Sequence, residues 1–233
     1  MAAHLLDVSM KSIPIYRDRL ELKPDVEING YRDLVNYLNR LNADWVNAMK
    51  RVSPDLLVAW LSQTHEDYLS CLEKLDPNAP AQFSVAWAGD DVSPNWFHIA
   101  REYTEKWHHQ QQIRDAVEKP GILTKEFYKP VLDTFFKALP FQYKNISAPV
   151  GTCIQLSIDS EAGGTLFLEK RIERWVLTNK STSKPSVKVS IPVDLSWKLF
   201  TKAVQFRDVK KSILITGEEK LALPALQMIA VMA

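Results

Sequence analysis

The sequence predicts a two-part chain: an all-α antiparallel helical bundle over residues 1–145, followed by a small α+β domain over residues 146–233. Three observations carry this reading. Between Tyr31 and Leu139 apolar residues recur three or four apart, the spacing of a helix face. After about Ala148 the period drops to two, the spacing of a half-buried strand. Between the periodic stretches stand Ser-Pro, Asp-Pro, Pro-Gly and Gly-Gly pairs, which belong in turns.

Tyr31 to Arg51 carries Leu34, Val35, Leu38, Leu41, Trp45, Val46 and Met49 at helical spacing. Ser53-Pro54 then reads as an N-cap followed by proline at the first helical position, opening a helix that ends by Asp76-Pro77. Residues 77–92 read as a loop. Ser93-Pro94 repeats the cap signal for a helix running to about Val117, before Pro120-Gly121. A last bundle helix spans Thr124 to Leu139 and is closed by Pro140. Helices of this length on short links suggest an antiparallel bundle. Strands follow at 151–158, 165–169, 175–178 and 187–193, with Gly163-Gly164 as a turn. Asp194 is placed to cap a helix through Phe200. A short strand at 212–216, a turn at Gly217 and a terminal helix from Leu221 to Met232 complete the domain.

Composition narrows the function. Lys+Arg at 29 against Asp+Glu at 28 leaves a net charge of +1, without the basic surplus of a nucleic-acid binder. No apolar run reaches the roughly 18 residues of a membrane span, and no signal peptide is evident, so the cytoplasm is the expected compartment. The two cysteines, Cys71 and Cys153, lie in apolar patterns and read as small buried hydrophobes. There is no Gly-x-Ser-x-Gly, P-loop or Gly-x-Gly-x-x-Gly, and seven glycines leave little for a phosphate cradle.

The chemistry concentrates in Glu105-Lys106-Trp107-His108-His109-Gln110-Gln111-Gln112. On a helix turning about 100° per residue, Trp96, Ala100, Tyr103 and Trp107 form one arc, expected to bury the helix. Glu105, His109, Gln112 and Ala116 fall roughly opposite, with His98. A carboxylate and an imidazole four apart stand on one face and suit a divalent ion. Spacing alone is equally served by a solvated i,i+4 pair. The polar arc holds no lysine, which favours an interior, where such a pair needs a partner or a metal. His4, in the apolar Ala2-Ala3-His4-Leu5-Leu6, is a candidate third ligand or a satisfied core histidine. His65, flanked by acids, reads as exposed. His98 and His108 read as supporting or surface groups. Arg101 and Arg114 suit an anionic substrate or the plain surface.

Several blocks together resemble one family: Ala3-His4-Leu5-Leu6-Asp7, Arg40-Leu41-Asn42-Ala43-Asp44-Trp45-Val46, Trp87-Ala88-Gly89 with Ser93-Pro94-Asn95-Trp96, and Ala100 to Ala116. The chain is similar to the mycothiol-dependent maleylpyruvate isomerase-like group within the DinB/YfiT-like helical-bundle superfamily. Residues 148–233 look like the sterol-carrier-like domain that accompanies that bundle. The resemblance implies a divalent metal, zinc first and nickel second, held by His4, Glu105 and His109. It implies a low-molecular-weight thiol such as mycothiol or bacillithiol, and a small electrophilic substrate that is isomerised or receives the thiol. Many members carry Asp where this chain has Gln112, a candidate for support behind the metal or for substrate contact, and their bundles begin with a helix ahead of the one bearing the first His, so here either that first helix is missing or the start is assigned too late. A non-catalytic metal- or small-ligand-binding protein of the same fold is the alternative. A short bundle that exposes an apolar face can also dimerise to cover it.

Overall fold

The computed structural model describes residues 1–181 and 183–231. Helices come first along the chain: α1 (Ala2–Asp18), α2 (Tyr31–Met49), α3 (Pro54–Glu73), α4 (Asn95–Ala116), α5 (Lys125–Phe135) and the short α6 (Leu139–Gln142). A mixed region follows: β1 (Cys153–Asp159), β2 (Gly164–Lys170), β3 (Trp175–Thr178), β4 (Val187–Pro192), α7 (Val193–Phe200), α8 (Phe206–Val209), β5 (Leu214–Gly217) and α9 (Glu219–Leu226). The order all-α, then α+β, is as expected.

By compactness the chain falls into two units. One holds Met1–Ala81 with Pro94–Ile99, the other Gln82–Ser93 with Ala100–Ala233. In the first, α1 packs against α2 and α3. Its core joins Val8 and Ile13 of α1 to Tyr68 and Leu72 of α3, with Tyr16, Leu75 and Ile99 against them. Ser53 caps α3 as expected, its Oγ accepting from the Leu56 N–H at 3.3 Å. Asn95 anchors the start of α4. Its side-chain amide donates to the Asp76 carbonyl at 2.8 Å, and its backbone N–H donates to Ala79 at 2.9 Å.

In the second unit the sheet order is β3-β2-β1-β4-β5. β1 pairs antiparallel with β2 and parallel with β4, so the chain passes through β2 and β3 before returning to the other edge of β1. Ile154, Leu156 and Ile158 of β1, with Val187, Val189 and Ile191 of β4 in register and Leu166 and Leu168 of β2, are all buried, as alternation dictates. Helices α7 and α9 lie against β4.

Four expectations need correction. Ser93 does not cap α4: its Oγ accepts from the Val85 N–H at 2.8 Å and donates to Asp90 at 3.1 Å, tying down the loop before the helix. Pro140 does not end the helical region, because it falls in the first turn of α6, where a missing N–H costs nothing. Asp194 lies inside the first turn of α7, and Pro192 stands at its N-cap. The terminal helix ends at Leu226, with Pro224 in its last turn; Met232 lies outside the described residues. α1 has no counterpart in the periodicity reading.

Candidate metal centre

Helix α4 carries the chemistry-bearing pair. His109 Nε2 lies 2.9 Å from Glu105 Oε1, one turn back. Its other ring nitrogen, Nδ1, lies 2.8 Å from Gln112 Oε1, one turn on. The imidazole is therefore gripped on both edges by its own helix, the geometry that i,i+3 and i,i+4 spacing provides. The His109 side chain is 13% exposed and that of Glu105 30%. This pair is neither sealed in the core nor fully solvated.

The burial of α4 is not the one expected from its aromatic arc. Trp107 is buried, but Trp96 and Tyr103 are 43% and 37% exposed. The buried face instead carries Phe97, His98, Thr104, His108 and Gln111. Apolar spacing marks what a helix can bury; its neighbours decide what it does bury, and polar groups go inside when each finds a partner. Thr104 donates to the Arg101 carbonyl at 2.7 Å, and His98 Nε2 lies 2.6 Å from the Tyr16 hydroxyl.

Two side chains of α4 hold the segment that follows it by a single residue. Gln111 Oε1 accepts from the Ile122 N–H at 2.8 Å, and Trp107 Nε1 donates to the Ile122 carbonyl at 3.0 Å. Arg114 donates to the Pro120 carbonyl at 2.9 Å. The Trp107 ring stacks on Tyr128 of α5 at 4.7 Å and meets Trp197 of α7 edge-on at 6.3 Å. The His108 ring stacks on His109 at 4.9 Å and tilts against Trp197 at 6.0 Å. Glu105 and His109 thus project from a helix fixed by packing on its other side.

His4 belongs to α1. Its Nδ1 lies 2.5 Å from Asn42 Oδ1 of α2. Beside it, Trp45 Nε1 of α2 donates to the Ala3 carbonyl at 2.8 Å. These two bonds hold the opening turn of α1 to α2 and keep the His4 ring in one orientation. Asn42 and Trp45 lie in a block quoted for the resemblance, yet nothing local to that block signals a contact with His4.

The remaining candidates divide clearly. His65 is exposed, as expected, whereas His98 and His108 are buried. Arg101 pairs with Glu102 at 2.8 Å, and Arg114 serves the loop carbonyl already named. Burial holds the Lys106 ammonium below its ordinary range, opposed by the Glu102 and Glu105 carboxylates. Cys71 and Cys153 are both buried thiols, as expected. Among the described residues no helix is long and apolar enough to cross a membrane.

No family model matches the chain, and no curated protein matches it. Solved structures similar to part of it are sterol carrier protein domains. The Sterol Carrier Protein 2 Like 2 of Aedes aegypti is 16% identical over 42% of this chain and 94% of its own, with a TM-score of 0.32. The sterol carrier protein domain 2 of Helicoverpa armigera is 17% identical over 44% of this chain and 86% of its own, with a TM-score of 0.34. The Sterol Carrier Protein 2 of Yarrowia lipolytica, in its apo form, is 10% identical over 58% of this chain and 88% of its own, with a TM-score of 0.27. Scores of this size assign neither fold nor function.

Proposed function

We propose that this chain is a metal-dependent enzyme that activates a low-molecular-weight thiol, of the mycothiol or bacillithiol kind, for isomerisation or S-transfer on a small electrophilic substrate. In this reading His4, Glu105 and His109 are the metal ligands. The observation that carries it is the pair on α4, where the His109 Nε2 and a Glu105 carboxylate oxygen stand 2.9 Å apart on one face of the helix; His4 is proposed as the third ligand. Imidazole nitrogen with carboxylate oxygen is a donor set that zinc accepts, with nickel next, and three protein ligands mark a catalytic rather than a structural zinc site. When bound, such an ion supplies a Lewis-acid position at which a thiol gives up its proton near neutral pH.

The chain's own residues supply rigidity, orientation and access. Glu105 and His109 stand on a helix whose buried face is anchored through Trp107 and Gln111. The partial exposure of the pair leaves room for a small molecule to approach. One carboxylate against a divalent ion leaves the site a net positive charge, which favours an anionic thiolate over a neutral ligand. Metal analysis of the purified protein tests the reading: one zinc or nickel per chain is expected, absent in His109→Ala, followed by thiol-dependent turnover of maleylpyruvate or a simple electrophile. A wild-type protein that binds no metal sinks it.

One observation favours a second reading, a non-catalytic small-ligand binder. The second unit contains a half-open cleft of about 320 Å³ lined by Leu199, Phe206, Leu226 and Ile229, with Lys202 and Arg207 among its other walls. None of the proposed metal ligands lines it. Stoichiometric metal with no thiol-dependent turnover supports this reading over the first.

A further inference from the structure

We infer that the cleft formed by α7, α8 and the chain after α9 binds a small amphipathic carboxylate, an apolar body of about ten non-hydrogen atoms with one negative charge. The inference rests on the small-ligand reading above and is independent of the proposed metal ligands. Every wall of the cleft lies between Leu199 and Ile229, within the second unit. Leu199 and Leu226 are buried, and Phe206 and Ile229 are half-buried. Backbone bonds fix these walls. The Ala230 N–H, beyond α9, donates to the Phe200 carbonyl at the end of α7 at 2.9 Å. The Ala203 and Val204 N–H groups both donate to the Lys198 carbonyl, at 2.8 and 3.2 Å, and set the turn that leaves α7. Lys202 stands in that turn in the left-handed conformation, at φ 66°.

Charge decides which apolar molecule fits. Lys202 and Arg207 are exposed wall residues, and the other polar walls, Gln205 and Gln227, are uncharged amides. Among the described residues no acid lines the cleft. Nearby Lys198 and Lys210 are paired with Asp115 and Glu219. Arg207 has Asp208 beside it at 3.6 Å, but both are well exposed, where such a pair is worth little. The cleft therefore combines an apolar lining with two cations at its wall, a combination that suits an anionic amphiphile. Size sets the second limit. At about 30 Å³ for each water-sized group, 320 Å³ holds about ten of them. That is the size of octanoate and far short of a long-chain lipid.

Isothermal titration of the full chain with octanoate, octanol, octylamine and hexadecanoate tests the inference. Octanoate is expected to bind one per chain, more tightly than octanol and far more tightly than octylamine. From butanoate to octanoate, affinity is expected to rise by up to about fourfold per methylene, and then to level off. Lys202→Gly, which suits the left-handed backbone, and Arg207→Gln are each expected to weaken octanoate by about two- to fivefold and to leave octanol unchanged. Ile229→Trp, which fills the cleft, is expected to abolish binding; undiminished binding in this variant puts the site elsewhere and overturns the inference. Octanol bound as tightly as octanoate overturns the anionic class while the small-ligand reading stands. Hexadecanoate bound at least tenfold more tightly than octanoate overturns the size limit, and with it the inference, in favour of a lipid. No binding of any of the four overturns both the inference and the small-ligand reading of this cleft.

Discussion

The bond between Tyr128 of α5 and Ser196 of α7 yields a prediction with an unequal cost on its two sides. Both residues are fully buried, and their oxygens are 2.5 Å apart. Ser196 Oγ also donates to the Val193 carbonyl at 2.8 Å, so its one hydrogen is spent and Tyr128 must be the donor. Ser196→Ala leaves a buried phenol hydroxyl without an acceptor, which costs about 1–3 kcal/mol. Tyr128→Phe removes the donor, while Ser196 keeps its bond to Val193, so the loss is the net worth of one hydrogen bond, about 0.5–1.5 kcal/mol. In the Ser196→Ala background, Tyr128→Phe should therefore raise stability, because it deletes the orphaned hydroxyl. At about 2–4 °C per kcal/mol for a chain of this size, Ser196→Ala should lower Tm by about 2–12 °C. Tyr128→Phe should lower it by about half of that or less, and the double variant should lie above Ser196→Ala. Scanning calorimetry on the four proteins measures this. Trp107, stacked on Tyr128, gives an independent fluorescence signal. Additive losses, or Tyr128→Phe costing as much as Ser196→Ala, would refute the donor assignment.

Zinc at 100-fold over its dissociation constant should stabilise the wild type by about 2.7 kcal/mol; a thermal-shift series should show that gain abolished in Glu105→Gln and His109→Ala and intact in His65→Ala, and an undiminished gain in His109→Ala would count against the ligand set. Burial raises the phenols of Tyr128 and Tyr143 above the ordinary tyrosine range. The folded value then exceeds the unfolded one, so the stability they contribute is whole below about pH 10 and is lost as pH climbs toward the folded value. Phenolate absorbance should show these two of the seven tyrosines ionising only together with loss of circular dichroism; full ionisation in a still-folded protein would contradict their burial. Gly217 has φ +104°, and a Cβ there would lie 2.2 Å from the Ser186 carbonyl oxygen. Gly217→Ala should cost about 2 kcal/mol or more, read as a lower urea midpoint, and an unchanged midpoint would show that the turn adjusts freely.

What could be read from the sequence was local. Ser53-Pro54 signals the start of α3 through contacts within one turn, and the alternation in β1 and β4 reports a sheet with one buried face. The parallel partnership of β1 and β4 was not legible, because alternation states which face is buried and not which strand lies alongside. α1 was hidden by Pro14, which reads as a breaker; the helix continues past it to Asp18, and Arg19 follows in the left-handed conformation at φ 57°. The early end of α9 depends on a residue far away in sequence. The Tyr143 hydroxyl donates to the Leu221 carbonyl at 2.6 Å and accepts from the Ala225 N–H at 3.2 Å, entering a turn that Pro224 already weakens.

The same division runs through the candidate site. The Glu105–His109 pair was legible because i,i+4 spacing is a local fact. The tie between His4 and Asn42 was not, because it spans 38 residues. Burial then does what spacing cannot, which is to sort the histidines by their availability to a ligand. His98 and His108 are 2% and 6% exposed and serve internal contacts, so a small molecule cannot reach them without repacking α4. His65 is reachable but stands on an exposed stretch of α3 beside Glu66 and Asp67. His4 and His109 combine the two properties a ligand requires: each is only part-buried, and each ring is held in one orientation by hydrogen-bond partners. A site must be accessible and preorganised at once, and among the five histidines of the chain these two meet both conditions.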